Sequence, residues 1–263
     1  MTNDRTQVKP VFVIGSPRSG TSILAMGLRA SLGIQSYSEG HFLPLANHLL
    51  DALKNYYVKM TDSLSNERRA IAHIDRGAFE ERILDLFYHE YNSLYSGTVW
   101  LDKTPGFEMI RAVPVLHRIW PDAKFIFAKR RGIENIISRL KKFPEVSFEK
   151  HCSTWMHCME KWLEVRDFVS GFAVEVEQRE ILINPQSAAE GIGGFLDLER
   201  PAVDLLHDAF RNEYPESTSG KTNHDATDLN QAGWSDQQIE IFRTSCGVTN
   251  RKFGYSETSS YYL

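Results

Sequence analysis

An apolar, β-branched run, Val11-Phe12-Val13-Ile14, leads into Gly15-Ser16-Pro17-Arg18-Ser19-Gly20-Thr21-Ser22, and a helical pattern starts directly behind it. A buried strand that turns through small residues into a helix restricts a chain to few folds. Such a turn presents backbone N–H groups and the positive end of a helix dipole to an anion. Gly15 and Gly20 have the spacing of the phosphate loop G-x-x-x-x-G-K-[ST], but Thr21 stands where that loop carries lysine. Arg18 places a cation inside the turn instead. Ser16, Pro17, Arg18, Ser19, Gly20, Thr21 and Ser22 are expected to cradle a nucleotide 5′-phosphate, with Arg18 facing whatever that phosphate is bonded to. The plainer alternative is an ordinary strand-to-helix turn.

Further apolar runs at Val99–Asp102, Lys124–Ala128 and Phe172–Val176, and a weaker one at Ile34–Tyr37, read as buried strands. Helical patterns fall between them at Thr21–Leu32, Leu43–Met60, Ala78–Tyr91, Phe107–Ile119, Gly132–Lys141, Phe148–Val169 and Ala188–Leu196. Alternation of this kind predicts an α/β fold, a P-loop-like doubly wound parallel sheet flanked by helices. Ligands of such sheets bind beyond the carboxyl ends of the strands. The whole chain, 1–263, is expected to be one domain. Residues of about 41–95 exceed a simple crossover and suggest a helical cap; the polar stretch of about 212–233 suggests a loop or lid. Ser235-Asp236-Gln237-Gln238 reads as a capping box opening a last helix to about Cys246.

With 30 basic and 34 acidic residues and a net charge of −4, nothing in the overall charge calls for a nucleic-acid partner. Three cysteines without a C-x-x-C pair indicate neither a disulfide framework nor a zinc site, and no cluster of His, Cys or carboxylates suggests another metal. The polar start lacks the apolar core of a signal peptide, and no apolar run approaches the roughly 18 residues of a membrane span. The chain is expected to be cytoplasmic. Charge is concentrated locally: Lys124, Lys129, Arg130, Arg131, Arg139, Lys141 and Lys142 crowd one segment whose only acid is Glu134. A solvated basic face is the simple reading. The other is that the segment faces the same site as the loop, since Lys129 and Gly15 both end strands. Arg130 ends a strand and Ser138 lies about two turns along the helix that follows, so the pair can grip a second phosphate. Two anion grips suit a nucleotide phosphorylated at two positions.

The loop and the Arg130–Ser138 pair resemble those of sulfotransferases that use 3′-phosphoadenosine 5′-phosphosulfate (PAPS), in the P-R-S-G-T variant of carbohydrate and tyrosyl-protein sulfotransferases. Asp102-Lys103-Thr104-Pro105 is similar to that family's K-T/D-P element, and Trp120-Pro121-Asp122-Ala123-Lys124-Phe125 to its entry into the 3′-phosphate strand. Arg179–Pro185 with Phe195-Leu196, and Trp234 with Phe253-Gly254-Tyr255, resemble later segments. Arg131 departs from the usual Asp or Asn and Gln178 from the usual Tyr. The R-K-G-x-x-G motif of the aryl enzymes is absent, which leaves Lys221 as a substitute 3′-phosphate ligand.

The resemblance implies transfer of a sulfonate from PAPS to a hydroxyl on a carbohydrate, glycolipid or small metabolite, releasing adenosine 3′,5′-bisphosphate without a metal. Arg18, and by resemblance Lys103, would stabilise the departing phosphate. Glu39, in Ser38-Glu39-Gly40-His41, stands where such families carry the base, with His41 the alternative. Two other functions stay open. A P-loop small-molecule kinase would need ATP and Mg²⁺, against which Thr21 argues; a non-catalytic module would bind the nucleotide without turnover. Trp155 and Trp162, at i and i+7, are expected to pack a helix face. His117, His151 and His157 are expected to be structural or exposed. Tyr56, Tyr57, Phe87, Tyr88 and Tyr91 are expected either in an acceptor pocket or in the core.

Overall fold

Strand β1 (Val11–Gly15) is buried at every position, as a run of Val, Phe and Ile between two helical layers must be. The computed structural model describes residues 5, 6, 8–34, 36–212 and 226–263. After β1 come α1 (Thr21–Leu32), α2 (Pro44–Lys59), the single turn α3 (Thr61–Leu64), α4 (Arg76–Asn92), β2 (Leu101–Lys103), α5 (Phe107–Ile119), β3 (Lys124–Lys129) and α6 (Gly132–Lys142). They are followed by α7 (Phe148–Val165), β4 (Ala173–Glu177), α8 (Gln178–Ile183), α9 (Pro185–Phe195), α10 (Arg200–Asn212) and α11 (Asp236–Lys252). The sheet order is β2-β1-β3-β4 and all three pairings are parallel.

Side chains alternate across the sheet, so each face has its own core. Phe12, Ile14, Phe125 and Phe127 join α4, α5, α7 and α11 on one side. Val11, Val13, Ile126 and Ala128 join α1, α9 and α10 on the other. The expected α/β fold with helices on both faces is what forms. Trp155 and Trp162 belong to the first core, Trp162 stacking on Phe127 with ring centroids 4.4 Å apart. Tyr57, Phe87, Tyr88 and Tyr91 are core residues as well, and only Tyr56 of that group is exposed. No helix among the described residues is long and apolar enough to cross a membrane.

Three local expectations change. Ile34, Ser36 and Tyr37 form no strand: after Gly33 (φ 63°) closes α1, Arg29 donates from Nε to Ser36 Oγ at 2.6 Å and from Nη2 to the Tyr37 carbonyl at 2.7 Å. The second of these occupies a carbonyl that a sheet would need. Helix α10 lies outside the expected helical patterns, although Val203, Leu206, Ala209 and Phe210 carry its period on the buried face. The last helix has the expected capping box, yet runs on to Lys252 rather than ending near Cys246. Of the polar stretch of about 212–233, residues 213–225, Lys221 among them, lie outside the described residues.

Candidate active site

The carboxyl ends of β1, β2 and β3 lie side by side: Val13 pairs with Lys103, and Gly15 pairs with Ala128, one residue before Lys129. The phosphate-type loop leaves β1 at this edge. Gly20 caps α1 in the left-handed conformation (φ 91°), and a Cβ there would press on Gln178 Cγ at 2.8 Å. The close approach and the positive φ both call for glycine. Arg18 is also left-handed (φ 72°) without being glycine, a conformation that persists only where neighbours hold it. Several do. Ser16 and Ser19 are fully buried, and Asn135 Nδ2 donates to both the Pro17 carbonyl and Ser19 Oγ at 3.0 Å. Asn135 escaped sequence reasoning, because its position on α6 marks a contact with the loop only once β1 and β3 are known to be neighbours.

The loop and the Arg130–Ser138 pair adjoin. Arg18 Nε donates to Ser138 Oγ at 3.1 Å, and Arg130 Nη1 donates to the Arg18 carbonyl at 3.0 Å. The Nε of Arg130 is sealed from solvent and has no hydrogen-bond partner among the described residues. Burial pulls the Arg130 pKa below the ordinary arginine value, against Glu134, Tyr261 and Glu177. Arg130 as a whole is half-buried, and its guanidinium is a charged donor set of the kind that anions bind.

Of the rest of the basic segment, Arg139 stays near Arg18: it is buried, burial and then the Arg18 charge lower its pKa, and its Nη1 has no hydrogen-bond partner among the described residues, whereas other members turn away. Lys129 pairs with Glu175 at 2.9 Å, and Lys124 lies over the Phe195 ring at 4.8 Å. Arg131 turns inward and is fully buried. Its five N–H groups meet both oxygens of Glu134 and the carbonyls of Thr227, Ser256 and Thr258, while its guanidinium stacks on Tyr261. The residue that departs from the family pattern thus fastens the C-terminal segment to α6. Clustering of charge in the sequence overstated clustering in space, because strand and helix periodicity sends neighbours in different directions.

At β2, Lys103 Nζ donates to Glu39 Oε1 at 2.6 Å, and His41 Nε2 lies 2.5 Å from Glu39 Oε2. A carboxylate only accepts, so His41 carries its hydrogen on Nε2. Burial alone would raise the Glu39 pKa. The hydrogen bond and charge of Lys103, then those of His41, outweigh it and hold the carboxyl below its ordinary value. Glu39 is about one-third exposed, Lys103 is buried and His41 is exposed. Among the described residues, no three His, Cys, Asp or Glu side chains come together as a metal site.

No curated protein sequence matches this chain. Among solved structures, the sulfotransferase domain of the Synechococcus PCC 7002 olefin synthase is 17% identical, covers 97% of this chain and 98% of its own, and superposes with a TM-score of 0.58. The sulfotransferase STF1 from Mycobacterium tuberculosis H37Rv is 16% identical, with 92% of this chain and 78% of that one covered and a TM-score of 0.50. At these identities the likeness is one of fold. The sequence model of the sulfotransferase family matches residues 10–202. Because that match spans most of its length, the chain belongs to the sulfotransferase family.

Proposed function

We propose that the protein transfers a sulfonate group from PAPS to a hydroxyl acceptor of the carbohydrate, glycolipid or small-metabolite class. The observation that carries this reading is the contact between the Arg18 loop and the Arg130–Ser138 pair. It makes one continuous anion grip, the arrangement that a single nucleotide phosphorylated at both ends of its ribose would need. The donor supplies a sulfonate on a phosphate leaving group, and no metal enters the scheme. Arg130 and Ser138 hold the 3′-phosphate. Ser16, Pro17, Arg18, Ser19, Gly20, Thr21 and Ser22 hold the 5′ end through backbone and hydroxyl donors.

Glu39 takes the acceptor's proton as the new S–O bond forms and the old one to phosphate breaks, in line by analogy with phosphoryl transfer. Lys103 keeps Glu39 ionised, and with Arg18 stabilises the charge arriving on the leaving oxygen; such preorganised groups are worth about 3 kcal/mol each. The 41–95 segment, which follows Glu39 directly, forms the acceptor side of one 1–263 domain. Titration calorimetry with adenosine 3′,5′-bisphosphate beside ATP–Mg²⁺ tests the donor, and labelled PAPS offered to sugars, glycolipids, phenols and sterols tests the acceptor. Tight bisphosphate binding with sulfonate turnover supports the reading. A preference for ATP–Mg²⁺ points to a kinase, and binding without turnover to a nucleotide-binding module.

A further inference from the structure

The loop that carries Glu39 is fastened to β2 by side chains that the transfer chemistry does not itself require. The backbone N–H groups of Gly40 and His41 donate to Thr104 Oγ1 at 3.1 and 3.3 Å. The Thr104 hydroxyl has one hydrogen, and it goes to Asp102 Oδ1 at 2.7 Å, which leaves its lone pairs for the two amides. The other oxygen of Asp102 accepts from the Tyr91 hydroxyl of α4. Asp102 and Thr104 are both buried. Gly40 lies so close that a Cβ there would overlap the Asp102 carboxylate and the Tyr91 hydroxyl. His41 is held at φ 54°, in the left-handed region, between these amide bonds and its contact with Glu39.

The relay has one direction. Asp102 can only accept when ionised, so it orients the Thr104 hydroxyl, and Thr104 gathers the two amides that flank the Glu39 side chain on its C-terminal side. Lys103, between Asp102 and Thr104, leaves β2 on the opposite side and bonds Glu39 itself. Three consecutive residues therefore hold both the backbone and the carboxylate of the loop. We infer that Asp102 and Thr104 are positioning residues for the base: through the Gly40 and His41 amides they keep Glu39 in register with Lys103. The inference rests on the reading of Glu39 as the base.

Thr104→Val keeps the side-chain shape and removes the hydroxyl; Thr104→Ser restores it. In the 263-residue chain, Thr104→Val should speed amide hydrogen exchange at Gly40 and His41 by about tenfold. It should lower kcat by roughly 10–100-fold while KM for the donor stays within about twofold, the signature of a misplaced group rather than lost binding. The acid limb of the kcat profile should move to higher pH, because a Glu39 that drifts from Lys103 loses what depresses its pKa. Thr104→Ser should recover all of these. Should Thr104→Val not fold, Asp102→Asn carries the same measurements.

Wild-type kcat despite faster exchange overturns the inference. So does a kcat loss matched by an equal loss of donor affinity, or a Thr104→Ser variant as impaired as Thr104→Val. Glu39→Gln, measured alongside, separates the two layers. If it keeps full turnover, the assignment of the base fails whatever the exchange data show. If it abolishes turnover while Thr104→Val does not, only the positioning role fails.

Discussion

Arg18 Nε donates to Ser138 Oγ across 3.1 Å, joining residues 120 apart in the chain. Arg130 closes the arrangement by donating to the Arg18 carbonyl. The loop behind β1 and the helix behind β3 thereby become one braced unit, with Asn135 bonded to Pro17 and Ser19 from the same helix. Such bracing fixes the loop against α6 in advance, which would lower the ordering cost of binding a ligand there.

Arg130→Ala should weaken binding of adenosine 3′,5′-bisphosphate by about 2–4 kcal/mol, because a buried phosphate loses its charged partner. Adenosine 5′-phosphate, which lacks the 3′ group, should bind the variant nearly as well as it binds the wild type. Calorimetry with both nucleotides gives the comparison. Equal bisphosphate affinity in the two proteins would remove Arg130 from the 3′ site.

The adjacent arginine should behave differently. Arg131→Ala removes the cation paired with Glu134, which keeps only the Thr227 N–H, and takes the donor from the Thr227 carbonyl and one of two donors from those of Ser256 and Thr258, so a loss of stability of about 3–5 kcal/mol is expected. Urea unfolding, read as the change in midpoint at constant slope, measures it. A change below about 1 kcal/mol would mean that the Arg131 clamp contributes little beyond geometry.

Glu39→Gln should cut kcat by at least ~10²-fold with nucleotide affinity nearly intact. His41→Asn should be milder if Glu39 is the base, and the more damaging of the two if His41 is. A base must be ionised, so activity should fall as pH drops through the Glu39 pKa, which lies below the usual carboxylate value. Lys103→Met removes the largest of the lowering influences, so the acid limb of the rate profile should shift to higher pH. An unmoved limb would place the titrating group elsewhere.

Glu177 should leave its mark on stability. Burial raises its pKa, against hydrogen bonds from the Tyr255 and Tyr261 hydroxyls at 2.5 and 2.7 Å. A group whose folded pKa is raised adds stability below its unfolded pKa and loses it as pH rises through the folded one. Glu177→Gln does not titrate, so the Tm difference, wild type minus variant, should grow in favour of the wild type as pH falls from above the raised Glu177 pKa toward the ordinary carboxylate value. A difference that is flat, or that shrinks as pH falls, contradicts the raised value.

Local sequence determined the strands and most of the helices. Val11–Gly15 has to be buried on both faces, Gly20 has to start α1, and Ser235 with Gln238 has to cap α11, because each follows from side-chain shape, backbone freedom or hydrogen bonding within a few residues. The sulfotransferase motifs were legible for the same reason, each being a short stretch that leaves one strand. Tertiary structure decided what those stretches touch. Arg130 and Arg131 are alike in sequence, yet one meets the Arg18 loop and the other is buried against the C-terminal segment. Lys103 meets Glu39 across 64 residues, and Arg18 meets Ser138 across 120. Such pairings depend on the strand order β2-β1-β3-β4, which no local pattern encodes, since burying an apolar strand is equally favourable beside any neighbour that can cover it.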